Sequence, residues 1–185
     1  MHTAKFENGF SIREAEISDA DTIWQAIDSH REYPARWLPF VPAITRREDE
    51  VAFLSSTLDI PYEARNIVFV IEQHGVFCGL AGFVNTDRTN CRTEIGYWLL
   101  PQFQGQGAMT RIVAHLCRWA ALERKMNRIQ IRCATGNTRS NAIPKRLGFS
   151  FEGVERAGEK LADGTFADSN VYSILKHEIE QWKTY

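Results

Sequence analysis

Gly105 and Gly107 stand with Thr110 at the seam between an apolar run, "EIGYWLL", and an amphipathic run, "RIVAHLCRWAALER". The chemistry such a seam offers is anion binding. A helix starting near Gly107 presents unpaired backbone N–H groups and the positive end of its dipole. Glycines lack the Cβ atoms that would hold a phosphate away, and Thr110 adds a hydroxyl in the first turn. A Walker loop is excluded, because no Gly-Lys-Ser/Thr closes the stretch. A dinucleotide GxGxxG fingerprint fails at its third position, which is Thr110, and no βαβ start sits near the N-terminus. A phosphate cradle of another kind and a glycine turn with no ligand both stay open on spacing alone.

Other reactive side chains are sparse. Cys78, Cys91, Cys117 and Cys133 make no CxxC pair, and three of them fall inside apolar runs, the usual place of buried reduced thiols. Cys133 has no Cys/His arrangement nearby, so a core thiol is expected there rather than a nucleophile. The five histidines share no ligand spacing, and no metal is expected. A net charge of −1 over 185 residues gives no broad positive field for nucleic acid or an acidic membrane. No apolar run approaches the ~18 residues of a spanning helix, and no signal pattern opens the chain. The expected compartment is a reducing cytoplasm.

The elements that must position the seam follow from periodicity. Residues 10–15 alternate as a strand. A helix follows over 18–30, with Ser18 and Asp21 as its capping box, and another from Thr45, boxed with Glu48. Between them, "REYPARWLPFVPAI" carries three prolines and cannot be regular throughout. Strands are expected over 66–72, 76–85 and 91–100, with a hairpin turn at Gln73-His74-Gly75. After the glycines, Met109, Ile112, Val113, Leu116 and Ala120 recur at helical spacing. A strand over 127–133, a short helix ending at Gly148, a hairpin about Ala162-Asp163-Gly164 and a terminal helical turn complete the chain. The order is β, α, α, β, β, β, α, β, α, β, β. It predicts an α/β (mixed α+β) layer structure, one domain over 1–185, with helices on both faces of a mainly antiparallel sheet.

"QFQGQG", Gln102 to Gly107, fits Q/R-x-x-G-x-G/A, and with it the chain resembles the GNAT acyl-CoA N-acyltransferases. "EIGYWLLPQFQGQGAMT", "NTRSNAIPKRLGF", "WLPFV" and "DGTFADSNVYSIL" are similar to the RimJ/RimL-like branch, which acetylates ribosomal-protein N-termini. The resemblance implies a seven-stranded GNAT-like sheet whose fourth and fifth strands splay, with acetyl-CoA in the gap and no metal. It implies that Leu99 and Leu100 offer backbone to the pantetheine arm. It places the diphosphate on the amides of Gln104, Gly105, Gln106, Gly107, Ala108, Met109 and Thr110. Asn137 and Asn141 match positions on the pantetheine side. Lys145 or Arg146 is placed near the 3′-phosphate, with solvated helix charge equally open.

The resemblance also suggests the transfer chemistry. Glu94, on the strand that should line the acceptor side, matches an acidic position of many members and is the first candidate base. Glu159 matches a carboxylate of the RimL-like branch after a one-residue shift. Where many members carry a tyrosine acid, this chain has Pro144, and Ser140 matches the branch's residue close to the thiolate. A helix-capping role for Ser140 stays open. Trp37, Leu38 and Phe40 form a candidate acceptor wall, with plain core packing as the other reading. Freeing an α-amine at pH 7 costs about 1–1.4 kcal/mol, against roughly 4–5 kcal/mol for a lysine. The expected function is direct acetyl transfer to the α-amine of a protein or peptide N-terminus, ribosomal proteins among them, by a monomer or homodimer. A small-amine acetyltransferase (polyamine, amino acid or aminoglycoside) and a non-catalytic CoA-binding module are the alternatives.

Overall fold

The computed structural model of the chain describes residues 1–32 and 37–182. Part of the proline-rich stretch read as a candidate acceptor wall, 33–36, lies outside the described residues. The strands are β1 (Thr3–Lys5), β2 (Phe10–Glu14), β3 (Val68–Gln73), β4 (Val76–Asp87), β5 (Arg92–Leu99), β6 (Arg128–Ala134), β7 (Ser150–Lys160) and β8 (Phe166–Leu175). The helices are α1 (Ala20–Ser29), α2 (Arg47–Leu58), α3 (Ala108–Leu122), α4 (Thr138–Arg146) and α5 (Lys176–Ile179).

One sheet runs in the order β1-β2-β3-β4-β5-β6-β8-β7. Every pairing is antiparallel except β5 with β6. The mainly antiparallel sheet expected from the sequence is present, with one strand more than seven. The extra strand is β1, which pairs with β2 through Thr3 and Arg13. Three residues are too few to display an alternation.

Strand alternation sends side chains to two faces, and each face has its own core. On the first, Ile112, Val113 and Leu116 of α3 pack with Phe69, Ile95, Ile129 and Ile131. Their spacing is the helical stripe read from sequence. On the second, Ile23 and Ile27 of α1 and Leu54 of α2 pack over Val70 and Leu80.

The helix starts differ from the capping boxes expected. Asp19, not Asp21, accepts the Glu16 N–H (2.8 Å) and is held by Arg13. Before α2, Asp49 rather than Glu48 accepts the N–H groups of Thr45 and Arg46. The first shift is by two residues and the second by one, and closely spaced acidic residues make such boxes ambiguous from sequence.

The feature that creates a site is a parting of strands. β5 pairs with β6 only over Arg92–Glu94 against Arg128–Gln130. Beyond that, β5 continues along β4 to Leu99, while β6 continues along β8 to Ala134. The sheet splits between Ile95–Leu99 and Ile131–Ala134, as the resemblance implied for the family's fourth and fifth strands.

Candidate functional site

A cleft of about 850 Å³ opens from the split to the start of α3, within the ~300–1,000 Å³ usual for small-molecule sites. Pro101 starts a tight turn that ends β5, and Gly105 (φ +79°) and Gly107 (φ +73°) carry the chain into α3. These left-handed angles are why glycine stands at both positions. Gly107 caps α3 without a side-chain bond. The amides of Ala108, Met109 and Thr110 therefore have neither a helical acceptor nor a side-chain cap. A Cβ on Gly105 would meet nothing within 4 Å, so its surroundings are open.

Gly105 through Thr110 all line the cleft, as does Gln104. Gln104 departs from the expectation of a free amide, because its N–H donates to Pro101 (3.2 Å). Its side chain instead ties the walls together. Nε2 donates to the Leu99 carbonyl (2.8 Å), and Oε1 accepts from Arg139 (2.6 Å). Leu100 does not offer backbone to the cleft. Its N–H donates to Cys78 (2.8 Å), and its carbonyl accepts from Phe103 (3.0 Å). Strand alternation turns the N–H and carbonyl of Leu99 the other way, into the split.

Three guanidinium groups line the cleft: Arg111, Arg139 and Arg146. Arg111 folds back one turn onto the loop, donating to the Gln106 carbonyl (3.1 Å). Lys145 is not among the lining residues, so of the two cations considered for a phosphate only Arg146 faces the cleft. Arg111 and Arg139 were missed by sequence reasoning. The available signal was position, one turn after Gly107 and two residues after Asn137. The open anion cradle, three arginines and a strand split into which the Leu99 backbone turns, its carbonyl shared with Gln104 Nε2, fit a diphosphate attached to an amide-bearing arm.

α4 forms the opposite wall. Asn137 lines the cleft and caps the helix, its Oδ1 accepting the Ser140 N–H (3.1 Å). The capping role considered for Ser140 thus belongs to Asn137. Asn141 is buried and does not line the cleft. Its Nδ2 donates to Ala134 and Asn137, and its Oδ1 accepts from Asn170 (2.7 Å) and Tyr172 (3.0 Å). Its full set of partners makes it a tie between α4, β6 and β8. Ser140 does line the cleft, with Oγ 3.1 Å from Cys133 Sγ and 3.3 Å from the Tyr97 hydroxyl. Burial pushes the Tyr97 phenol well above its ordinary range and raises the Cys133 thiol.

The two candidate bases share the other face of the sheet. Glu94 pairs across to Gln130, Gln130 to Ser173, and Glu159 to Ala167, all in one alternation. Glu94 is already occupied. Arg132 ion-pairs with it (3.3 Å), and Asn85 and Gln130 donate to its Oε2 (3.4 and 3.5 Å). Glu159 is half-buried, and its pKa is raised, chiefly by burial and further by Glu94 and Glu155, against the opposing pull of Arg132. Gly96 lies between Glu94 and Trp98 on this face, and a Cβ there would meet nothing within 4 Å.

Trp37 and Leu38 line the cleft, and the Trp37 ring stands over Gly136. Phe40 does not line it and is 43% exposed, because it sits past Pro39 in a separate turn.

Comparison with known proteins places these features in a family context. The GNAT acetyltransferase domain model matches residues 10–150. YdaF of Bacillus subtilis (strain 168), grouped by name with ribosomal N-acetyltransferases, is 32% identical over 97% of this chain and 98% of its own. The ribosomal-protein-serine acetyltransferase of Escherichia coli (strain K12) is 24% identical over 94% of this chain and 96% of its own. A solved RimL structure, a ribosomal L7/L12 α-N-protein acetyltransferase in complex with coenzyme A, superposes with a TM-score of 0.88. It is 24% identical, covering 94% of this chain and 98% of that one.

Proposed function

The chain belongs to the GNAT acetyltransferase family, and on that premise we propose that it moves the acetyl group of acetyl-CoA directly onto the α-amine of a protein N-terminus, of the ribosomal-protein kind. As a member of that family, and of its RimJ/RimL-like branch, it is an acetyl-CoA-dependent N-acetyltransferase. The observation that carries the finer reading is the split between β5 and β6. It parts the strands between the α4 wall, where Ser140 lines the cleft, and the opposite sheet face, where Glu94 and Glu159 stand outside the cleft lining.

The thioester supplies an already activated acyl group, so no acyl-enzyme is required. The amides of Gly105 to Thr110, with Arg111, hold the diphosphate. The backbone of Leu99 faces the pantetheine arm. The amine nitrogen attacks the thioester carbonyl and the C–S bond breaks as the amide forms; a Glu159 carboxylate oxygen takes the amine proton, directly or through a water, and Ser140 Oγ passes a proton to the leaving sulfur and regains one from solvent. Glu159 is favoured over Glu94 because Arg132, Asn85 and Gln130 already engage Glu94. Cys133 is unsuited to a covalent route. Burial raises its thiol pKa, and its polar neighbours Ser140 and Tyr97 are not bases at neutral pH.

The test is thiol release from acetyl-CoA across an acceptor panel. It would contain free N-terminal peptides, the same peptides blocked at the α-amine but carrying lysine, and polyamines. Release with the free peptides alone is the expected result. Release with polyamines alone would establish the small-amine reading. Tight CoA binding with no release from any amine would establish a non-catalytic module.

A further inference from the structure

Pro144 lies inside α4. Proline has no N–H, so the carbonyl four residues earlier, that of Ser140, loses its helical partner. The Tyr97 hydroxyl takes the vacated place, donating to the Ser140 carbonyl at 3.1 Å. The Ser140 hydroxyl in turn donates to the Tyr97 oxygen at 3.3 Å. One phenol on β5 therefore grips a single residue of α4 at both its main chain and its side chain, across the split in the sheet.

The direction of these bonds is constrained. A phenol has one proton, and here it goes to the carbonyl. Toward Ser140 Oγ the phenol oxygen can then act only as acceptor. That selects one orientation of the serine hydroxyl. The other neighbour of Oγ is the Cys133 sulfur at 3.1 Å, a weak hydrogen-bonding partner. Both Tyr97 and Ser140 line the cleft.

We propose that Tyr97 is a positioning residue for Ser140, admitted by the missing N–H of Pro144: it holds the serine oxygen beside the cleft, and the serine proton rests on the phenol oxygen until the thiolate forms, then turns to the sulfur. The proposal rests on the reading of Ser140 as proton donor. The helix thus departs from a regular bond pattern at the residue whose orientation matters. A phenylalanine at position 97 would fill the same space but leave the Ser140 carbonyl without a partner and its hydroxyl free to rotate.

The experiment compares kcat, acetyl-CoA KM and Tm for the wild type, Tyr97→Phe, Ser140→Ala, the Tyr97→Phe/Ser140→Ala double variant and Pro144→Ala/Tyr97→Phe. Tyr97→Phe is expected to lower kcat about tenfold, with acetyl-CoA KM within about twofold of wild type. In the Ser140→Ala background the same change is expected to cost nothing further, because its target is gone. Adding Pro144→Ala gives the Ser140 carbonyl an N–H again, so it should recover the Tm lost in Tyr97→Phe but not its kcat. This last variant also serves if Tyr97→Phe alone does not fold. Wild-type kcat in Tyr97→Phe, an equal fractional loss in the Ser140→Ala background, or recovery of kcat along with Tm would each overturn the proposal. Wild-type kcat in Ser140→Ala is a separate outcome. It removes the donor reading itself, and the positioning role with it.

Discussion

Glu94 and Glu159 lie on one sheet face, yet their surroundings prepare them for different work. Glu94 is fixed by Arg132, while Glu159 is raised by burial with Glu94 and Glu155 beside it. A base must be ionised to act, so kcat/KM should fall as pH falls through the Glu159 pKa. That limb should lie above the 4.5 of an ordinary glutamate. Glu159→Gln is expected to lower kcat on the order of 10²–10³-fold and abolish the limb, with CoA affinity unchanged. Glu94→Gln should have the smaller effect. A second carboxylate gives a stability prediction. Glu50 is buried in α2, its Oε2 has no partner among the described residues, and burial pushes its pKa up to about 7. The native state then keeps a proton that the unfolded chain releases near 4.5, so stability falls as pH rises from about 4.5 to 7 and stays lower above. The size is on the order of 3 kcal/mol, and urea unfolding of Glu50→Gln should lack this loss. Candidate residues were legible where a motif named them, as at Ser140 and Glu159. The choice between carboxylates was not, because Arg132 reaches Glu94 only once β5 and β6 are side by side.

At the scale of elements, the glycine loop and the start of α3 were readable because they depend on local rules. An Ala at position 107 would have to adopt φ near +73°, with its Cβ 3.2 Å from an Arg111 nitrogen. Gly107→Trp should weaken CoA binding by calorimetry at least roughly tenfold while the fold persists, since the loss is confined to the cradle. Gly79 plays a different part. It has φ +154°, and a Cβ there would strike the Trp98 carbonyl on the neighbouring strand. Backbone cannot yield as a side-chain tip can. Gly79→Ala is therefore expected to destabilise the protein by several kcal/mol, roughly 3 or more, as read from Tm. The helices and strands themselves followed from periodicity. The turning of the Leu99 rather than the Leu100 backbone into the split, and the burial of Asn141, did not. Both depend on which strand lies opposite, and a single chain's pattern does not reveal that.

Across the whole molecule, two cores on opposite faces hold one sheet that divides partway along. The division makes β5 an outer boundary for one half and β6 for the other, so the cleft opens between them without breaking either core. Among the described residues no helix is long and apolar enough to cross a membrane. The family was legible because its blocks recur in order along the chain. Of the three residues read as a candidate acceptor wall, Trp37 and Leu38 reach the cleft and Phe40 does not. The most direct test is a crystal structure of the protein with CoA and an N-terminal peptide bound together. The expected result has the diphosphate on the amides of residues 105–110, the sulfur within hydrogen-bond reach of Ser140 Oγ, and the peptide α-amine on the face of Glu94 and Glu159. A diphosphate seated elsewhere, or an α-amine arriving from the α4 side, would contradict it.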